Sequence, residues 1–203
     1  MLYFSPGACS LAPHLILREV GAKFEMEQVD NRTKKTTSGA DFWQINPKGH
    51  VPVLELTDGR RITEAAAILQ YIADQYPDSG LVPPCGSFDR YRVVEWLNFI
   101  SSEIHKTFGP LFKPNTPEDY KAIAQENLSK RYSFLEEHFS SHHYLHGAKF
   151  GIADSYLFVV TNWLPRFGLD IGKWPDVKAY RERIAARPKV REAMQAEGSR
   201  QAA

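Results

Sequence analysis

Cys9 stands in Ser5-Pro6-Gly7-Ala8-Cys9-Ser10, directly after the strand-like Leu2-Tyr3-Phe4 and before a helical pattern. Such a junction offers unpaired backbone N–H groups and the positive end of a helix dipole, which favour an anion. An ordinary cysteine is only about 3% thiolate at neutral pH. At helix N-termini its pKa falls to roughly 3.5–7.5, and the thiolate becomes a major species. Position therefore allows a nucleophilic thiol, and the rest of the chain must decide. The competing reading is inert packing, because cysteine is among the most buried residue types. Ala12 stands three residues after Cys9, so there is no Cys-x-x-Cys dithiol, and a reactive Cys9 would take its redox partner from a small soluble thiol. Cys85, in Pro83-Pro84-Cys85-Gly86, reads as an incidental linker thiol.

Asn98, Ser101, Ser102 and His105 recur at i, i+3, i+4 and i+7 and so share a face of one predicted helix. That stripe is either a wet helix face or a set of donors, with His105 able to favour a nearby thiolate. Lys106 adds positive potential beside it. Glu64-Ala65 opens another helix, where the carboxylate complements the dipole or holds a ligand cation. The basic run Arg32-Thr33-Lys34-Lys35 is a solvated face, or offers one lysine to an anionic ligand. His138, His142, His143 and His146 imitate a metal cluster, but Ser140-Ser141 and Gly147 mark a helix end and loop, and no metal site is expected. Tyr156, Leu157, Phe158, Val159, Val160, Trp163 and Leu164 read as helical core, with Trp163 able to border a hydrophobic cleft.

Positioning these groups falls to a chain of 203 residues, enough for two small domains. Lys+Arg of 25 against Asp+Glu of 24 gives a net charge of +1, which points to neither nucleic acid nor an anionic membrane as partner. No apolar run nears the ~20 residues of a membrane span. Met1 leads straight into a strand pattern without a signal-peptide layout, so a cytoplasmic location is expected.

Residues 1–78 read β-α-β-α-β-β-α: strand 2–4, helix 10–20, strand 24–27, a polar loop 31–38, a short helix at 42–45, strands 53–56 and 61–62 about the Asp58-Gly59 turn, and a helix 65–76 capped by Thr63. Asp78-Ser79-Gly80 and Pro83-Pro84-Cys85-Gly86 then break the pattern. Helices follow at about 88–108, 117–139, 153–167, 175–186 and 188–197, with Pro117, Pro175 and Pro188 placed for first turns. Strands followed by helices alone imply an α/β domain (1–78), a linker (79–87) and an all-α domain (88–203).

This layout resembles the cytosolic glutathione transferases, a thioredoxin-like domain followed by a helical one. The likeness spans essentially the whole chain. It rests on Ser5-Pro6-Gly7-Ala8-Cys9-Ser10, Asn46-Pro47-Lys48-Gly49-His50-Val51-Pro52-Val53-Leu54, Thr63-Glu64-Ala65, and Ala153-Asp154 opening a later helix. Cys9 together with His105-Lys106 after Glu95-Trp96-Leu97-Asn98 is similar to the bacterial beta class.

The resemblance implies a glutathione site. Cys9 and His105 are the expected catalytic residues, with His105 in a cleft between the domains above Cys9. Ser10, Lys35, Val51, Pro52, Glu64, Ala65, Asn98 and Lys106 are the expected glutathione contacts. Pro52 would be cis, and the Val51 backbone would pair with the cysteinyl part of the ligand like an added strand. Glu64 would take the γ-glutamyl ammonium and the Ala65 N–H the α-carboxylate. Alanine stands where many relatives carry serine, and that loses a hydroxyl contact worth ~1 kcal/mol. Lys35, or Lys34, would hold the glycyl carboxylate. Asp154 would brace a helix through a capping box, although Gly151 replaces the usual hydroxyl residue at a cost of a few tenths of a kcal/mol.

The implied activity is conjugation of glutathione to hydrophobic electrophiles, a detoxifying reaction, together with mixed-disulfide exchange at Cys9. Glutathione enters as co-substrate, with no further cofactor, and a homodimer is the implied assembly. Two adjacent thiolates would repel, which favours disulfide chemistry as the reason for a cysteine. The alternatives are a glutathione-dependent reductase or reductive dehalogenase with little conjugation, or a non-catalytic binder of hydrophobic ligands.

Overall fold

The computed structural model describes residues 1–198. They form two compact units, Met1–Ser79 with residues 186–198, and Gly80–Ala185.

The first unit runs β1 (Leu2–Phe4), α1 (Leu11–Glu19), β2 (Met26–Asp30), β3 (Lys35–Thr36), α2 (Phe42–Ile45), β4 (Val53–Glu55), β5 (Arg61–Thr63) and α3 (Ala65–Gln75). The sheet order is β3-β2-β1-β4-β5. β1 is parallel to β2, with Leu2 opposite Met26, and antiparallel to β4, with Tyr3 opposite Val53. This is the mixed, thioredoxin-like sheet. Tyr3, Val29, Phe42, Val51 and Val53 form one buried cluster. α1 packs on α3, and Leu15, Ile16, Ile68 and Leu69 are fully buried. Each such side chain contributes about 1.5–3 kcal/mol by leaving water.

Three details differ from the sequence reading. The segment 31–38 is not all loop. The Asp30 carboxylate accepts the Arg32 and Thr33 N–H groups at 2.7 and 3.1 Å, Lys34 adopts φ 57°, and the chain turns back as β3 against β2. Two polar residues at a sheet edge carry no alternation to read. The second strand lies at Met26–Asp30 rather than 24–27. Thr63 ends β5 instead of capping α3, and Glu64 takes the cap position with φ 69°.

The second unit contains α4 (Phe88–Phe99), a π-helical segment (Ile100–His105), α5 (Lys106–Phe112), α6 (Glu118–Phe139), α7 (Ile152–Thr161) and α8 (Pro175–Ala185). All ten residues of α7 are buried, so it is the core helix its sequence suggested. Asp154 Oδ2 accepts the Gly151 N–H at 2.9 Å, while Oδ1 takes the Leu145 N–H at 2.9 Å and the Tyr180 hydroxyl at 3.1 Å. Gly151 has no room for a hydroxyl cap. A Cβ there would meet the Leu81 carbonyl oxygen at 2.9 Å, and that oxygen accepts the Ile152 N–H. Leu81 is therefore buried structure of this unit rather than linker. Among the described residues, no helix is long and apolar enough to cross a membrane.

α9 (Pro188–Ala196) departs from the expected 88–203 helical domain, because it packs on α1 within the first unit. Arg187 grips Glu19 through Nε and Nη2 at 2.8 and 2.9 Å. Such bidentate pairs carry geometric specificity as well as energy. Periodicity finds the helix but does not say which partner its apolar face meets.

Candidate functional site

The Cys9 loop is closed by its own backbone and by Ser10. The Ser10 hydroxyl accepts the Ser5 N–H at 3.1 Å and donates to the Ser5 carbonyl at 3.2 Å. Ser10 is fully buried, so its side chain braces the loop. Gly7 turns with φ 69° and donates its N–H to Glu197 Oε2 at 3.1 Å.

Cys9 is 9% exposed, and its thiol donates to the Val51 carbonyl at 3.4 Å. Burial pushes its pKa up to about 12, and the negative charge of Glu64 adds to the rise. Burial thus works against the thiolate form at this position. Cys9 precedes the cap residue Ser10, and its sulfur faces the negative end of a carbonyl dipole. The local N–H groups pull the pKa down, but less than desolvation raises it.

The Val51-Pro52 bond is cis, as expected, and both residues are buried. The preceding loop is braced by Asn46, which donates from Nδ2 to the His50 carbonyl at 2.7 Å and accepts the Lys48 N–H at 3.1 Å. Gly49 is needed there. Its φ is +67°, and a Cβ would sit 2.5 Å from the Trp43 ring.

Glu64 and Ala65 complete this group of residues. Glu64 holds a φ of 69°, rare for a residue with a side chain, and presents a carboxylate that is 68% exposed. Ala65 is the first residue of the 11-residue α3, where N–H groups have no carbonyl within the helix. The Glu64 carboxylate holds the Lys48 ammonium at 2.6 Å, and Lys48 also reaches Thr63 Oγ1 at 2.9 Å. Lys34 Nζ donates to the Gly49 carbonyl at 2.8 Å, whereas Lys35 is exposed on β3. The structure thus gathers Cys9, Val51, Pro52, Glu64, Ala65, Lys34 and Lys48 and leaves Lys35 aside. Sequence reasoning missed Lys48, although it lies in the quoted Asn46-Pro47-Lys48-Gly49 motif.

In the second unit the polar stripe does not survive as read. The Lys106 N–H reaches the Ser101 carbonyl, an i→i+5 bond, so the α-helical relation of Asn98 to His105 is lost. Ser101 and Ser102 turn their hydroxyls back onto the Asn98 carbonyl at 3.1 and 2.9 Å. Asn98 and Lys106 are exposed. His105 is half-buried, shares a 2.6 Å hydrogen bond with the Tyr156 hydroxyl through Nδ1, and lies edge-on to Trp163. Single π-turns of this kind frequently mark functional sites.

The histidine cluster dissolves into backbone contacts. His138 Nε2 bonds to the Tyr144 carbonyl and His142 Nδ1 to the His138 carbonyl. Among the described residues no group of three or more His, Cys, Asp or Glu is placed to hold a metal ion.

Comparison with known proteins bears on both units. The family model "Glutathione S-transferase, N-terminal domain" matches residues 7–75, and "Glutathione S-transferase, C-terminal domain" matches residues 99–188. The chain is 44% identical to glutathione S-transferase GstA of Escherichia coli O157:H7, over 97% of this chain and 98% of that one. A sphingomonad glutathione S-transferase solved with glutathione superposes with a TM-score of 0.95 at 47% identity, covering 97% and 98% of the two chains. A bacterial beta class enzyme from Sphingomonas chungbukensis gives 0.96 at 44% identity, covering 98% and 99%.

Proposed function

Because the chain belongs to the glutathione S-transferase family, we propose that it conjugates glutathione to hydrophobic electrophiles from the cradle formed by Cys9, Val51-Pro52 and Glu64-Ala65. One observation carries this reading. Glu64 is held in a sparsely populated backbone conformation that presents its carboxylate beside the first N–H groups of α3. That pairing suits an amino acid end, ammonium on the carboxylate and carboxylate on the helix start. Lys48 already places an ammonium on Glu64, so the γ-glutamyl ammonium exchanges with a group of the same chemistry. Lys34 faces this loop and is better placed than Lys35 for the glycyl carboxylate.

Cys9 acts as a neutral donor. In the free protein its proton rests on the Val51 carbonyl. When the cysteinyl backbone of glutathione takes that carbonyl, the thiol turns to the glutathione sulfur and stabilises it as thiolate. A group with a pKa near 12 stays protonated while doing so, and the repulsion of two thiolates does not arise. The thiol of glutathione yields its proton to solvent and its sulfur bonds to the electrophilic carbon. The leaving group, a halide for an aryl halide, departs with the bonding pair. Exchange at Cys9 would need its thiolate, which burial disfavours. A cytoplasmic homodimer with a detoxifying role completes the reading, and exposed Phe88, Tyr91 and Phe134 offer apolar surface to a second copy.

Initial rates with glutathione and 1-chloro-2,4-dinitrobenzene test this. Saturable conjugation is expected, with Glu64→Ala raising the KM for glutathione more than tenfold and Cys9→Ala lowering kcat. Rapid glutathionylation of Cys9 by oxidised glutathione, seen by intact mass without conjugating activity, would replace it with a thiol–disulfide reductase.

A further inference from the structure

Lys48 joins a loop, a strand end and a helix start within the first unit. Its backbone N–H donates to Asn46 Oδ1 at 3.1 Å, which fixes the loop that leads to Val51-Pro52. Its ammonium donates to Glu64 Oε1 at 2.6 Å and to Thr63 Oγ1 at 2.9 Å. Thr63 ends β5 opposite Val53 of β4, and Glu64 follows it as the cap residue of α3. Both charges face water, the Lys48 side chain being 55% and the Glu64 side chain 68% exposed. An exposed ion pair of this kind adds little to folding stability. Its charges are open to a ligand instead.

The γ-glutamyl end of glutathione carries an ammonium and a carboxylate on one carbon. An ammonium that settles on Glu64 competes with the Lys48 ammonium for the same carboxylate. Displaced alone, Lys48 would lose its counter-charge. The ligand supplies a new one in its α-carboxylate, which arrives on the carbon that bears the incoming ammonium. Lys48 can turn to it through its flexible four-carbon stem, which is half exposed. After the exchange the ligand ammonium lies on Glu64 and the ligand carboxylate on Lys48, and each charge meets its opposite.

We propose that Lys48 is a specificity residue of the glutathione cradle, exchanging its bond to Glu64 for one to the α-carboxylate of the ligand, beside the Ala65 N–H. The cradle thereby selects an ammonium that is accompanied by a carboxylate on the same carbon. This assignment rests on the glutathione site proposed above and involves the first unit alone. A ligand with the ammonium but without the carboxylate would evict Lys48 and leave it unpaired.

Isothermal titration calorimetry compares glutathione with 4-aminobutyryl-cysteinylglycine, which keeps the ammonium and lacks the α-carboxylate. Lys48→Met keeps the length and removes the charge. It is expected to raise the Kd of glutathione about tenfold, the loss of one charge-assisted hydrogen bond. The Kd of the analogue should stay at or below its wild-type value, because no ammonium then has to be displaced. Lys48→Arg, which restores the charge, should recover most of the lost glutathione affinity. Equal weakening of both ligands by Lys48→Met would overturn the assignment and reduce Lys48 to a brace of its loop. Tighter binding of both would overturn it too, making Lys48 only a competitor for Glu64. In either case the conjugating function stands.

Calorimetry requires no turnover, so the two readings separate. The expected split in a protein that conjugates nothing would keep the assignment and remove the conjugating function. A wild-type protein that binds neither ligand would overturn both.

Discussion

His14 and Glu197, 183 positions apart, share a 2.9 Å hydrogen bond between side chains with no solvent exposure. Arg18 Nε donates to His14 Nε2 at 2.9 Å, so the imidazole carries its proton on Nδ1 and donates it to Glu197. The other oxygen of Glu197 accepts the Gly7 N–H of the Cys9 loop. One buried carboxylate thus ties the end of α9, the buried face of α1 and the candidate site loop together.

Removing either member should be costly, because the remaining polar group stays buried without its partner. His14→Ala or Glu197→Ala is expected to lower unfolding stability by about 3 kcal/mol, and Glu197→Gln by about 1 kcal/mol, because Gln retains an acceptor. Urea denaturation would check this. Midpoints unchanged by His14→Ala would show that the pair contributes nothing to the fold.

Cys9 should be the slow cysteine. With a pKa near 12, its alkylation by iodoacetamide should rise about tenfold per pH unit from pH 7 to 10, while exposed Cys85 reacts first. Peptide masses over a time course measure both. The same shift acts on stability. The folded pKa lies above the unfolded value of about 8.5, so between that pH and about 12 the folded state holds the proton that the unfolded state loses. Stability contributed by Cys9 is complete below pH 8.5 and falls as pH rises through this window. Cys9→Ala should flatten that slope.

Lys34 and Lys35 can be told apart kinetically. Lys34→Ala is expected to raise the KM for glutathione about tenfold, the worth of a charge-assisted hydrogen bond, with Lys35→Ala near wild type. Burial already lowers the Lys34 pKa, whereas its neighbour stands in solvent on β3. The reverse ranking would return the glycyl contact to Lys35.

Gly151→Ser should destabilise the protein even though serine is a good helix cap. The added Cβ would lie 2.9 Å from the Leu81 backbone oxygen, and overpacking of that kind costs about 1–3 kcal/mol. A lowered melting temperature is expected, and a raised one would show that the Leu81 segment yields.

The sequence by itself determined the order of elements apart from β3, the division into a strand-bearing and a helical part apart from the placement of α9, and the motifs at Cys9, Val51-Pro52 and Glu64-Ala65. Those signals are local: hydrophobic period, turn residues, and a helix start. Tertiary structure decided what has no local signal. A buried His14 one helical turn after Leu11 needed a partner, but only the packing of α9 on α1 named Glu197. The shift at Cys9 followed from burial against the Val51 carbonyl, which position at a helix start does not reveal. His105 left the predicted stripe because the π-helical segment changes the angular spacing, and no residue in Ile100–His105 announces an i→i+5 bond. Lys34 rather than Lys35 reached the Gly49 carbonyl because φ at Lys34 is positive, a choice set by the turn into β3. Local spacing fixes which groups a chain can offer. Burial and long-range pairing fix their charge, their partners and the direction each one faces.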